Sequence, residues 1–194
     1  GAAAKDAQST VSGSIPALTG ITPAQEVAGI RWYILQQTTP GGAWSIEQQG
    51  TFGDQPAGIT AENQLIHRWM GSAALHGHGD LAIGYSACND DDANPIYPGI
   101  RYTGRVVTDP VNTLPQGEGI IMDGTSSKGA NGAYGQRWGD YAQMGVDPTD
   151  DSTFWFTTHV ASGATRIASF ALEAPADAEI AVAQPATNGL FDGS

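Results

Sequence analysis

Arg68-Trp69 and Arg137-Trp138 each set a guanidinium beside an indole, and the second pair is followed at once by Asp140 and Tyr141. An indole face covers the apolar carbons of a sugar ring, while arginine, aspartate or a phenol takes its hydroxyl or carboxylate groups. Arg68, Trp69, Arg137, Trp138, Asp140 and Tyr141 are therefore the candidate ligand-binding set, and the ligand class they suit is a glycan. A structural expectation competes with this one. A residue pair that recurs along a chain usually serves a recurring architecture, with the indoles packed between repeats and the arginines paired to local carboxylates or carbonyls. A glycan-processing hydrolase would need a carboxylate or Tyr–Glu nucleophile, a general acid and arginines for a substrate carboxylate. Asp140, Tyr141 and Glu118 are the local candidates, and the sequence assigns no catalytic residue among them.

For metals, Asn89-Asp90-Asp91-Asp92-Ala93-Asn94 supplies hard oxygen ligands, which makes Asp90, Asp91 and Asp92 candidates for calcium, and Asp147 with Asp150 and Asp151 offers the same chemistry. Neither run has the spaced pattern of a calcium loop, and acidic turns are commonly just solvated. His76 and His78, two apart in a Gly-rich stretch, read as solvated turn residues.

The composition narrows the classes. Eight basic against twenty acidic residues give a net charge of −12, a field that repels nucleic-acid phosphates and anionic membrane surfaces. Gly (26) and Pro (11) are plentiful and charged residues reach only 14%, the profile of a turn-rich, strand-rich chain of a kind common outside the cell. A single cysteine, Cys88, rules out an internal disulfide framework and any cluster built on paired cysteines, and it reads as a small half-buried residue at a strand end. No stretch approaches the ~20 apolar residues of a membrane helix, so no membrane insertion is expected.

These residues need strands to position them. The phrase His67–Leu75 returns in altered form at Gln136–Met144, and each copy is followed by a polar turn, an apolar strand, a loop and a strand carrying one arginine. Upstream, Ile30–Leu35, the turn Pro40-Gly41-Gly42 and Trp44–Gln49 read as a hairpin. Residues 66–123 read as four strands: Trp69–Leu75, with its run of small residues suited to a crowded position, Leu81–Ser86, Gly99–Thr103 and Glu118–Met122. Trp138–Val146, Thr153–Thr157 and Thr165–Phe170 repeat the plan, and Arg31, Arg101 and Arg166 recur on third strands. Four antiparallel strands per repeat is the make-up of a propeller blade. The expectation is an all-β chain with about two and a half four-stranded blades, the hairpin being the outer half of one, against the four to eight that close a β-propeller. Residues 1–28 read as a linker or extended arm, 29–170 as the partial propeller and 171–194 as a tail or linker.

Gly29-Ile30-Arg31-Trp32-Tyr33, His67-Arg68-Trp69-Met70-Gly71-Ser72, Ile100-Arg101-Tyr102-Thr103-Gly104-Arg105, Leu114-Pro115-Gln116-Gly117-Glu118, Arg137-Trp138-Gly139-Asp140-Tyr141 and Thr153-Phe154-Trp155-Phe156 together resemble the C-terminal half of a family of secreted bacterial β-propeller proteins of the sialidase-like, BNR-type group. The resemblance implies an extracellular or cell-surface location and a closed propeller of about six or seven blades. It specifies no activity. Ser152 stands where the family usually has a cysteine, which implies a lost disulfide, and the family's N-terminal half has no counterpart here. The remaining blades are thus expected from another segment or another protein chain, with a homo-oligomer or larger assembly as one form of that completion.

Blade topology assigns loops to two ends. Residues 53–68, 87–98, 124–137 and 158–164 are expected at one end, and 76–80, 104–117 and 147–152 at the other. The preferred function is a non-catalytic surface module that binds glycan or protein, or builds an assembly, through the first end. The alternative is a glycan-processing, sialidase-like hydrolase whose catalytic groups lie mostly in the missing half.

Overall fold

The computed structural model describes residues 26–127, 138–161 and 163–172. Arg137 and the expectations for residues 1–25 and 173–194 lie outside them. The described chain is all-β, with nine strands and one 3-10 turn at Glu62–Gln64. The strands are β1 (Ile30–Gln36), β2 (Ser45–Phe52), β3 (His67–Leu75), β4 (Leu81–Cys88), β5 (Gly99–Arg105), β6 (Gly119–Met122), β7 (Gln143–Val146), β8 (Phe154–His159) and β9 (Thr165–Phe170). They form three antiparallel sheets, β1-β2, β3-β4-β5-β6 and β7-β8-β9. The sheets follow the sequence grouping, with several strands running two or three residues further than expected and one much shorter: the last repeat's first strand begins at Gln143 rather than Trp138, so Trp138, Asp140 and Tyr141 stand in the segment leading into β7. No helix of the described residues is long and apolar enough to cross a membrane.

Alternation along the strands decides how the sheets stack. On β1, Ile30, Trp32 and Ile34 are buried while Arg31, Tyr33 and Leu35 are exposed, so the hairpin has one apolar face. That face joins Leu81, Ile83, Tyr85 and Ala87 of β4 in a core that also holds Phe52 and Ile66. The opposite face of the central sheet, through Ala82, Ile100 and Tyr102, packs on Met144, Phe154, Phe156 and Phe170 of the third sheet. Because β4 and β5 are covered on both faces, they read as nearly continuous buried runs instead of alternating ones. Each fully buried phenylalanine in these layers contributes roughly 2 kcal/mol relative to exposure.

Close approach of the layers requires small residues at particular places. A Cβ on Gly84 would sit 2.6 Å from the Phe156 ring, so the central sheet can accept that ring only without a side chain there. In β3 the register with β4 shifts between Trp69 and Ser72, a bulge at which Met70 adopts φ 55. Gly71 then lies beneath the Ile30 side chain, and the Ser72 hydroxyl accepts the Met144 N–H at 2.9 Å. The small-residue run of β3 is where the hairpin on one side and β7 on the other both come near.

The loops collect at two ends as the topology requires. Asp90 donates its N–H to the Asn63 carbonyl, and Gly124 lies against Tyr97 and Pro98. At the far end the Asp151 carboxylate accepts the Gly77 N–H and Asp80 accepts the Val107 N–H at 2.6 Å, which ties the turns after β3, β5 and β7 together.

Candidate functional site

Of the sequence-derived set, Arg68 is the residue whose position changes most in meaning. It is 3% exposed and lies over the Phe52 ring at 5.1 Å. Its Nε donates to Glu118 Oε2 at 2.6 Å, an Nη reaches the Ile66 carbonyl at 3.3 Å, and the Tyr85 hydroxyl donates to the same Glu118 oxygen at 2.8 Å. Burial, with the Glu118 charge added, holds the Tyr85 hydroxyl far above its usual range, so it stays a neutral donor. The three side chains come from β3, from β4 and from the residue before β6, and they lock the inner strand to the outer edge of the same sheet. For Arg68 the structural expectation is the one realised. A tyrosine beside a glutamate is also one of the two nucleophiles that would serve the hydrolase alternative, yet Tyr85 is 0% exposed and no substrate atom can reach it.

Trp69 projects from the other face of β3. Its ring meets Trp138 edge to face with centroids 5.5 Å apart, and Trp138 meets His159 of β8 in the same manner at 5.3 Å. The indoles therefore do pack between neighbouring sheets, and they form a short aromatic row at the loop end. Gly139 permits this, since a Cβ there would come within 2.6 Å of the His159 side chain.

Beyond the row the chain turns outward. Asp140 is exposed, and Tyr141 is 88% exposed, the most exposed large apolar residue among those described. Both line a cavity of about 430 Å³ together with Gln143, Thr158, His159 and Thr165. The lining joins an aromatic ring, a carboxylate, an amide, hydroxyls and an imidazole, a donor and acceptor mix matched to sugar hydroxyls. Asp140 is the one acid among its described lining residues, whereas a glycosidic bond is cleaved between a pair of carboxylates. A second groove of about 550 Å³ runs between β1 and β3, with Ile30, Trp32, Trp69, Met70 and Ser72 in its walls.

The acidic runs are otherwise engaged. Asp91 is buried and accepts the Ala93 N–H at 3.0 Å, while Asp90 and Asp92 point to solvent. Asp147 accepts from Thr149 N–H and the Trp155 indole, and Asp150 accepts from the Thr153 hydroxyl and from the Ser152 and Thr153 N–H groups. The Thr153 hydroxyl and amide bring the Asp150 carboxyl down to about 2. Donors surround the Asp147 and Asp150 oxygens, the reverse of a cation's demand. Among the described residues no group of three or more His, Cys, Asp or Glu is placed to hold a metal ion. Cys88 is a half-buried free thiol at the end of β4, raised by burial and by nearby Asp90.

Sequence reasoning found Trp138, Asp140 and Tyr141 but not Thr158, His159 and Thr165. Their signal was available only through register: His159 pairs with Thr165 across β8 and β9, which brings the end of one strand and the start of the next to the same edge. Comparisons with protein-family models, with curated proteins and with solved structures find no match.

Proposed function

We propose that this chain is a non-catalytic, extracellular or cell-surface module that binds a glycan at the loop end, and that its three sheets are successive blades of a β-propeller completed by further polypeptide. The observation that carries the binding reading is the Tyr141–Asp140 cavity set against the Trp69–Trp138–His159 row. Tyr141 offers a ring for the apolar face of a sugar, and the packed row behind it keeps the lining from collapsing when a ligand leaves. The propeller reading draws its support from the repetition of strand order and of stacking from sheet to sheet. The hydrolase alternative draws no support from the single carboxylate among the described lining residues.

The test is a glycan array probed with the purified chain, followed by titration of the best ligand against Tyr141→Ala and Asp140→Ala. Both side chains are exposed, so both variants are expected to keep the parent far-UV spectrum. Binding weakened at least tenfold by Tyr141→Ala is expected. Binding that survives both substitutions moves the ligand to another surface, and an array without any hit removes the glycan reading.

A further inference from the structure

Three strands carry the repeated arginine, and one of them lacks the neighbour that the other two have. Arg101 lies on β5 and Arg166 on β9, and each strand pairs antiparallel with the strand just before it in the chain, β4 and β8. The two connections are residues 89–98 and 160–164, both at the loop end. Arg31 lies on β1, which among the described residues pairs with β2 alone. The β2 edge of this hairpin is already occupied, since the Gln49 N–H donates to Asn112 Oδ1 at 2.9 Å and the Asn112 N–H donates to Gln48 Oε1 at 3.3 Å. The β1 edge is the one left to receive a further strand.

That edge is one wall of the 550 Å³ groove. Residues 28–33 form this wall and residues 68–73 of β3 the other, with Leu81 and Ile83 of β4 between them. Gly71, Ala73 and Leu75 alternate onto the face of β3 that Ile30 touches, and all three are exposed, Leu75 by 48%. The chain itself enters at the groove: the Ala28 carbonyl accepts the Arg68 N–H at 2.9 Å, and the Ala28 N–H donates to His67 Nδ1 at 3.2 Å. The stretch before β1 is thereby tied to the start of β3 at the loop end. Residues 7–25 carry no charged side chain, so none of them would bring an ion out of water on entering an apolar groove. Pro16 has no N–H to donate, which confines it to an edge strand with its nitrogen turned away from the partner. Ile15, Ala17, Thr19 and Ile21 then have their N–H groups on the partner's side.

We propose that the segment Ile15–Ile21 of this same chain docks in the groove as the third strand of the hairpin sheet, antiparallel to β1 and joined to it at the loop end. Consecutive antiparallel strands usually pair, and this chain follows that rule at β4 and β5 and again at β8 and β9. Counting back from Ile30 by the five to ten residues of those two connections ends the docked strand between residues 19 and 24, a window that holds Ile21. The inference rests on the repeated strand order behind the blade reading, for which it names the next strand; it is independent of the glycan.

The experiment places a nitroxide on Ala17→Cys in the full 194-residue chain, with Cys88→Ser so that the label has a single thiol. The Met70, Ala73 and Leu81 methyl signals are expected to broaden, while Ile167, two sheet spacings of about 10 Å away, keeps its signal. In the unlabelled parent chain, the β1 amides that point away from β2 are expected to be protected from hydrogen exchange. Thr19→Cys repeats the measurement if the first label disturbs the strand, and Cys88→Ala replaces Cys88→Ser if that variant loses the parent far-UV spectrum. No broadening in the groove overturns the docked segment, whether or not the β1 amides are protected, and leaves the blade order to be completed by other polypeptide. Broadening without protection overturns the strand pairing. Broadening that appears when a labelled chain is mixed with an isotope-enriched unlabelled one, and not within one chain, overturns docking in the same chain. Broadening stronger at Leu35 and Ile46, on the exposed face of the hairpin, than in the groove breaks the repeated strand order and overturns the blade reading with it.

Discussion

Arg68 illustrates how one side chain's surroundings decide between two chemistries open to it. A guanidinium next to an indole is a plausible sugar grip only if its donors face outward, and here its Nε and an Nη are spent on Glu118 and Ile66. The pair with Glu118 is buried on one side and partly wet on the other, since Glu118 keeps 23% of its side-chain surface. Removing the cation leaves a carboxylate held by Tyr85 alone in a largely apolar setting, and breaking a buried pair in this way costs more than the pair itself contributes. Arg68→Met is expected to destabilise the chain by about 3 kcal/mol, at the low end for buried pairs because Glu118 retains water. Tyr85→Phe removes one neutral donor and is expected to lose about 1 kcal/mol. Denaturant midpoints of the two variants check the order. Equal losses would mean that the Arg68–Glu118 pair contributes no more than the Tyr85 hydrogen bond to the same carboxylate.

Strands and turns show where a sequence speaks plainly. The hairpin was legible because Ile30–Leu35 alternates and Pro40-Gly41-Gly42 supplies a turn, with Gly41 at φ 75 and Gly42 donating to the Thr39 carbonyl. The grouping of β3 to β6 was legible from repetition. The start of β7 was not, because Trp138 and Tyr141 carry strand propensity yet serve the aromatic row and the cavity, and tertiary contact overrides propensity. Nor could the partner of Arg68 be read, since Glu118 is fifty positions away and joined to it only by the folding of the sheet. Gly84 is a case in which pattern and packing agree on the residue for different reasons: the sequence shows a small residue inside an apolar strand, and the structure shows a ring from the next sheet filling its place. Gly84→Ala drives a methyl into Phe156, and overpacking of this kind costs about 1–3 kcal/mol. Its effect is expected on the contact between the central and third sheets, so hydrogen exchange in β7, β8 and β9 should accelerate while β1 and β2 keep their protection. Uniform acceleration would show that the layers open together.

At the scale of the whole molecule, charge restricts the ligand more firmly than any single contact. The chain carries −12, and the one charged group described at the cavity is Asp140, because Arg68 is turned inward. A field of that sign lowers the local concentration of anionic ligands and does not act on neutral ones. The hydrolase alternative would call for a sugar carboxylate, which needs an exposed arginine. The described cavity offers an aromatic ring, hydroxyls and a carboxylate instead, which suits neutral hexoses or amino sugars. Screening separates the two cases, since the Debye length falls from about 30 Å at 0.01 M salt to about 3 Å at 1 M. Affinity for a neutral glycan is therefore expected to stay level across that range, while any weak affinity for an acidic glycan rises as salt increases. Calorimetric titration of one neutral and one sialylated ligand at low and high salt checks both slopes. An acidic ligand that binds best at low salt would require a cation at the site, and the search would then turn to Arg137, the member of the candidate set outside the described residues.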